Sequence, residues 1–144
     1  MRALLDTSVL IGDESPGEIE AAISVVSLTE LHYGVLVATD DDERARRMDR
    51  LAAIEAALDP LPITPEIARA WGRLAAAVTQ RGGNPRRRQV DLAIASTALV
   101  ERVPLLTNDV VDLHVISDLV DACRPGVRKQ RAHLPTSRRG KGTG

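Results

Sequence analysis

Apolar positions along this chain come in two forms: short uninterrupted runs, and stripes that recur every three or four residues. "RALL" (Arg2 to Leu5) is a run of the first kind and reads as a short buried strand, with Asp6 at its carboxyl end. "AISVV" (Ala22 to Val26) is uncharged and β-branched, and predicts a second strand. Ser27 with Glu30 three places on has the form of a capping box and predicts a helix over about 28–38. The stretch from Asp42 carries acids in its first turn and apolar residues at Met48, Leu51, Ile54 and Leu58, an amphipathic helix with a favourable dipole at its start. Leu61 to Ile63 reads as a brief strand confined by prolines. Thr64 and Pro65 open a further helix that runs to about Arg81 and stops at a Gly-Gly pair.

"GGNPRRR" reads as a loop. "QVDLAIASTALVERV" is apolar on most sides and so predicts a central, buried helix. "PLLTND" gives a strand at Leu105 and Leu106 that ends in Thr107, Asn108 and Asp109, and "LVDA", near Leu119, a last strand. No internal repeat is visible. Strands alternating with helices imply an α/β fold, a parallel sheet wrapped by helices. Ligand sites in such sheets lie beyond the carboxyl ends of the strands, so Asp6 and Asp109 should project from one edge.

Composition narrows the class. A chain of 144 residues, 44% hydrophobic and 27% charged, suits one globular domain with a real core. No apolar run approaches the roughly 20 residues that cross a bilayer. The amino terminus makes a poor secretory signal, and a lone Cys123 cannot form an internal disulfide; together these place the protein in the cytoplasm, with Cys123 a small buried hydrophobe.

Net charge of −1 hides an asymmetry. Seven of the 19 Lys and Arg residues lie from Arg124 onward and none of the 20 acids does, which leaves 12 bases against 20 acids in the body. The chain therefore divides into a domain over 1–123 and a basic, flexible tail over 124–144, which is either a neutral solvated segment or one that steers RNA. The acidic body repels phosphate unless metal ions intervene. Aromatic content of 1% excludes a module that stacks bases on aromatic platforms.

Four acids distant in the chain carry the candidate chemistry: Asp6, Glu30, Asp91 and Asp109. Taken singly, Glu30 could close the Ser27 capping box, Asp91 could complement a helix dipole and Asp109 could serve a turn. One geometry accounts for all of them together, a carboxylate cluster whose mutual repulsion a hard divalent cation relieves. Mg²⁺, or Mn²⁺ in its place, could then activate a water and polarise a phosphodiester, and a two-ion site would hold its ions about 4 Å apart.

"LLDTSVLIG", "ISVVSLTELHYGV", "DLAIASTALVERVPLLTND" and "VVDL" together resemble the PIN-domain family, specifically its VapC toxin branch, in the family's order and over nearly the whole chain before Arg124. The resemblance implies a three-layer α/β/α sandwich with a short central parallel sheet. It also implies a Mg²⁺-dependent endoribonuclease, cutting structured RNA such as tRNA or rRNA, paired with a VapB antitoxin that masks the pocket, and a homodimer formed through helices. Carried over by position, the metal-binding acids fall on Asp6, Glu30, Asp91 and Asp109. The family often reads Thr-x-Asn-x-x-Asp-Phe where this chain reads Thr107 to Leu113, so Asp109 stands at the Asn place and Asp112 at the Asp place, and either could supply the fourth carboxylate. Thr7 and Thr107 are expected to orient water or the acids themselves.

Arg86, Arg87 and Arg88, just before Asp91, are candidate phosphate anchors for RNA, with a solvated loop or an antitoxin contact as the alternatives. His32, His114 and His133 lack the paired spacing of a zinc site. Two other readings compete. A Mg²⁺-dependent phosphotransferase or receiver domain needs a lysine near the phosphate, but Lys129 and Lys141 both lie in the tail, and Ser8 stands where the second aspartate is expected. A non-catalytic PIN-like domain would bind metal or RNA and leave the RNA intact.

Overall fold

The computed structural model describes residues 1–13 and 15–126, so the expected tail lies outside the described residues from position 127 on. Four short strands form one parallel sheet in the order β2-β1-β3-β4: β1 (Arg2–Leu5), β2 (Glu20–Ile23), β3 (Leu105–Leu106) and β4 (Ala122–Cys123). Five α-helices surround it: α1 (Thr7–Leu10), α2 (Val25–Leu36), α3 (Asp41–Ala57), α4 (Pro65–Gln80) and α5 (Gln89–Glu101).

Alternate residues of each strand face opposite ways, which divides the core in two. Leu4, Ala22 and Leu105 pack with Leu74, Val78, Leu92 and Ile94 under α4 and α5. Ala3, Leu5, Ile23 and Leu106 pack on the other face with Val9 and Leu58, continuing into Leu31, Val35 and Leu51 of α2 and α3. The expected three-layer α/β/α sandwich follows directly. Helix α5 is buried along most of its length, and its Ser96 and Thr97 hydroxyls donate to the carbonyls of Leu92 and Ala93, so neither is left unpaired.

Several boundaries differ from the sequence reading, each for a local reason. The second strand is Glu20–Ile23 instead of Ala22 to Val26, because four residues pair in register with β1 and Ser24 then caps α2, accepting from the Val26 amide at 3.1 Å. Ser27 therefore lies inside the helix, buried, and no capping box forms with Glu30. Leu61 to Ile63 contributes a single bridge, Leu61 to Ser24. Leu61 donates to Ile23 and accepts from Val25, but the prolines on either side have no amide to extend the ladder.

"PRRR" is a turn of 3₁₀ helix (Pro85–Arg88), capped by Asn84, whose side chain accepts from the Arg86 amide. The last strand sits at Ala122–Cys123 instead of near Leu119; Cys123 is half-buried and packs against the Leu5 and Leu106 core. The one-turn helix α1 and a 3₁₀ segment over Val110–Ile116 carry no sequence periodicity long enough to read.

Candidate metal centre

From β1 the chain passes to β2 on one side, then returns to β3 on the other, so the topology reverses between β1 and β3. A crevice forms at such a point beyond the strand ends. Asp6 leaves β1 there, its amide donating to the Leu106 carbonyl, and Thr107 leaves β3 beside it. Asp6 is 6% exposed, and its Oδ2 accepts from Ser8 Oγ at 2.7 Å and from Thr107 Oγ1 at 2.9 Å. Both hydroxyls take the same oxygen, so neither occupies Oδ1. The Asn108 amide donates to Ser8 Oγ and the Asn108 side chain to the Ser8 carbonyl, while the Asp109 amide donates to Thr107 Oγ1. Two chain segments a hundred positions apart are thereby locked around one carboxylate.

Thr7 acts on the second acid. Its hydroxyl donates to Glu30 Oε1 and lies 3.1 Å from Ser27 Oγ. Since Ser24 caps α2, Glu30 sits in the helix's second turn and its carboxylate is turned toward the end of β1.

Asp91, in the first turn of α5, brings the acids together. Its pKa rises from 3.8 to about 6, first through burial and then through the negative charges of Asp6, Glu30, Asp112 and Asp109. Asp109 is raised by burial, Asp6 and Asp112, against the opposing charge of Arg124. The expected acids thus share one electrostatic neighbourhood. Asp6, Asp91, Thr107 and Asp109 line a common cleft, closed by Leu105 and Leu113. Asp112 stands at its margin, with Arg88 Nη1 3.7 Å from its Oδ1.

The donor set is all oxygen, which suits a hard cation. Among the described residues, no three of these side chains already stand in closed ligand geometry. A Mg²⁺-type ion retains several waters and takes only one or two carboxylates directly, so an open ring of acids fits it.

Arg86 and Arg87 are exposed on the 3₁₀ turn that leads into α5. His32 pairs with Glu55 at 2.9 Å, away from the acids, and His133 lies outside the described residues. Sequence reasoning missed Ser8 and Asn108 as supports of Asp6. The one available signal was Ser8 itself, two places after the aspartate, where a hydroxyl can turn back onto a carboxylate.

The model of the PIN domain matches residues 3–115. The chain belongs to the PIN-domain family. This PIN domain is 37% identical over 113 residues to Ribonuclease VapC5 of Mycobacterium tuberculosis (strain ATCC 25618 / H37Rv), covering 74% of this chain and 82% of that protein. Among solved structures it is similar to a member of the VapBC family of toxin-antitoxin systems, VapBC-5 from Mycobacterium tuberculosis, with TM-score 0.72 and 32% identity over 88% of this chain and 98% of the other. VapBC2 from Rickettsia felis, bound to a DNA fragment from its promoter, shares the fold at TM-score 0.67 and 24% identity, covering 86% of this chain and 98% of that one.

Proposed function

We propose that this PIN domain is the toxin of a type II toxin–antitoxin pair, an endoribonuclease that depends on Mg²⁺, with Mn²⁺ able to substitute. The observation that carries the reading is the convergence of Asp6, Glu30, Asp109 and Asp112 on Asp91, whose pKa is raised to about 6 first by burial and then by their charges. Relatives that bear the name ribonuclease, at 35% to 37% identity, support the same activity. A toxin that cuts tRNA or rRNA would meet its substrate in the cytoplasm, which is the location we propose; among the described residues no helix is long and apolar enough to cross a membrane.

Asp6 and Asp91 would be the principal ligands, with Glu30 and Asp109 completing the oxygen set and Asp112 at its edge. When bound, the ion would supply an activated water and neutralise charge on the phosphate under attack. The protein's own groups do the rest. Thr107 and Ser8 hold Asp6 by one oxygen, and Thr7 fixes Glu30. Arg86, Arg87 and Arg88 contact the RNA, the exposed pair through phosphate oxygens. A structured RNA such as tRNA or rRNA is the substrate.

The partner is a VapB-like antitoxin, supported by the toxin–antitoxin complex to which this fold is similar, and it would mask the acids with a basic residue. A homodimer through α2 and α3 would cover Tyr33, Leu36 and Met48, which are exposed on those helices.

The test is incubation of the pure protein with total RNA, with Mg²⁺ or with EDTA, beside an Asp6→Asn variant, together with Mn²⁺ binding by calorimetry. Cleavage, growth inhibition and tight Mn²⁺ binding should all disappear in the variant. Weak binding of the ion and intact RNA with the unaltered protein would instead establish a non-catalytic domain.

A further inference from the structure

A second cavity, of about 320 Å³, lies between α4, the Pro85–Arg88 turn, α5 and the Val110–Ile116 segment. We propose that it is a pocket for one nucleobase of the RNA, next to the bond that is cut, with Arg88 as the residue that reads the base. This rests on the ribonuclease reading above and adds to it a determinant of sequence preference.

Three observations carry it. The first is position: Leu113 lines both this cavity and the acid cleft, and Asp112 lines the cavity while repelling charge on Asp91. An RNA strand with a phosphate at the acids therefore has a neighbouring nucleotide within reach of the pocket. The second is the floor, formed by Val78, Leu92, Leu113 and Ile116. Its volume lies within the roughly 300–1,000 Å³ of small-molecule sites, and apolar walls accept the flat face of a base. Trp71 is packed on the α4–α5 core and Tyr33 lies on α2, so no aromatic platform competes for that role here. The third is Arg88. Its Nη1 is buried without a hydrogen-bond acceptor, Asp112 being 3.7 Å away. That contact is too long for a hydrogen bond, and with the Arg88 side chain 36% exposed the outer N–H groups of its guanidinium are the ones that a carbonyl or ring nitrogen on a base edge would meet.

The same features disfavour other occupants. A phosphate would find Arg87 and Arg88, but only by leaving water for an apolar floor beside the like charge of Asp112. An apolar side chain from a partner protein would offer no acceptor to the Arg88 guanidinium. The walls are also fixed in advance. Arg81 donates to the Val115 carbonyl at 2.6 Å and pairs with Asp118 at 2.7 Å, which ties the Val110–Ile116 segment to the end of α4. Arg87, at the rim, is placed for the adjoining phosphate.

The experiment titrates the metal-free protein in EDTA with each of the four ribonucleoside 5′-monophosphates and with ribose 5-phosphate, following backbone amide NMR shifts. Amides of Gly82, Gly83 and Val115 should move with one or two of the bases and not with ribose 5-phosphate. Arg88→Met should weaken that binding roughly ten-fold, and Val115→Phe, which fills the cavity from its partly exposed side, should abolish it. In parallel, RNA digested with Mg²⁺ is mapped at its new ends. The unaltered protein should prefer a base at one fixed position beside the cut, and Arg88→Met should lose that preference.

Equal shifts with ribose 5-phosphate, or none with any nucleotide, would overturn the proposal. So would variants that keep their base preference and lose only inhibition by the antitoxin, which would assign the cavity to a partner protein. Base-selective binding in a protein that leaves RNA uncut would uphold the pocket and reject the ribonuclease reading. Cleavage with a base preference unchanged in both variants would do the reverse.

Discussion

Thr107 Oγ1 donates to Asp6 Oδ2 at 2.9 Å, joining the end of β3 to the end of β1 across 101 positions of sequence. The same hydroxyl accepts from the Asp109 amide at 3.0 Å, so one buried side chain sets the place of two acids. Thr107→Val keeps the shape and removes both bonds. A buried carboxylate deprived of a donor loses about 1–3 kcal/mol, which chemical denaturation should register. RNA cleavage should fall about ten-fold or more, because Asp6 can then rotate. Unchanged cleavage in Thr107→Val would mean that Ser8 alone positions Asp6.

Stability of the metal-free protein should depend on pH through Asp91. Its carboxyl ordinarily ionises at 3.8 and in the fold at about 6. Between those values the folded chain holds a proton that the unfolded chain has released. The stabilisation is therefore complete below 3.8 and is lost as pH rises through about 6. Asp109 shifts in the same direction and deepens the effect. Thermal melts in EDTA should show a higher midpoint at pH 5 than at pH 7, and saturating Mn²⁺ should remove the difference.

Asp91→Asn follows from the same charge balance. Without metal at pH 7 the substitution removes a repelled, half-buried anion, and it should raise the melting temperature by about 3 °C, corresponding to roughly 1 kcal/mol. RNA cleavage should be lost in the same protein. A variant both less stable and inactive would show that Asp91 is held by something other than its repelling neighbours.

Replacing Arg86, Arg87 and Arg88 together with Ala should weaken RNA binding and flatten its dependence on salt. Each lost phosphate contact lowers the slope of log affinity against log salt by about 0.7 for single strands. Fluorescence anisotropy over a range of salt concentrations measures this, and an unchanged slope would remove the turn from the RNA interface.

Gly83 allows the cavity wall to close on α4. A Cβ there would stand 2.7 Å from Val78 Cγ1 and 3.2 Å from the Val78 carbonyl. Val78 is buried and β-branched in the last turns of α4, so it cannot swing aside. Gly83→Ala should cost about 1–3 kcal/mol in denaturant unfolding.

Much of this was legible in the chain itself. Runs such as "RALL" and "PLLTND", the stripe through Met48, Leu51, Ile54 and Leu58, and the Thr64-Pro65 start specified the elements, because burial and capping are local demands on residue type. The parallel sheet followed from their alternation, and Asp6, Glu30, Asp91 and Asp109 could be named as candidates that the fold then brings into one electrostatic neighbourhood. Tertiary structure alone decided the remainder. Ser24, not Ser27, caps α2 because pairing with β1 ends β2 at Ile23, and that choice releases Glu30 to meet Thr7. Ser8 and Asn108 became supports of Asp6, and Arg88 was drawn beside a cavity, only when the sheet brought distant segments together. Spacing along the chain carries the period of a helix or strand, but which side chains meet across a sheet depends on register and packing, which no local pattern encodes.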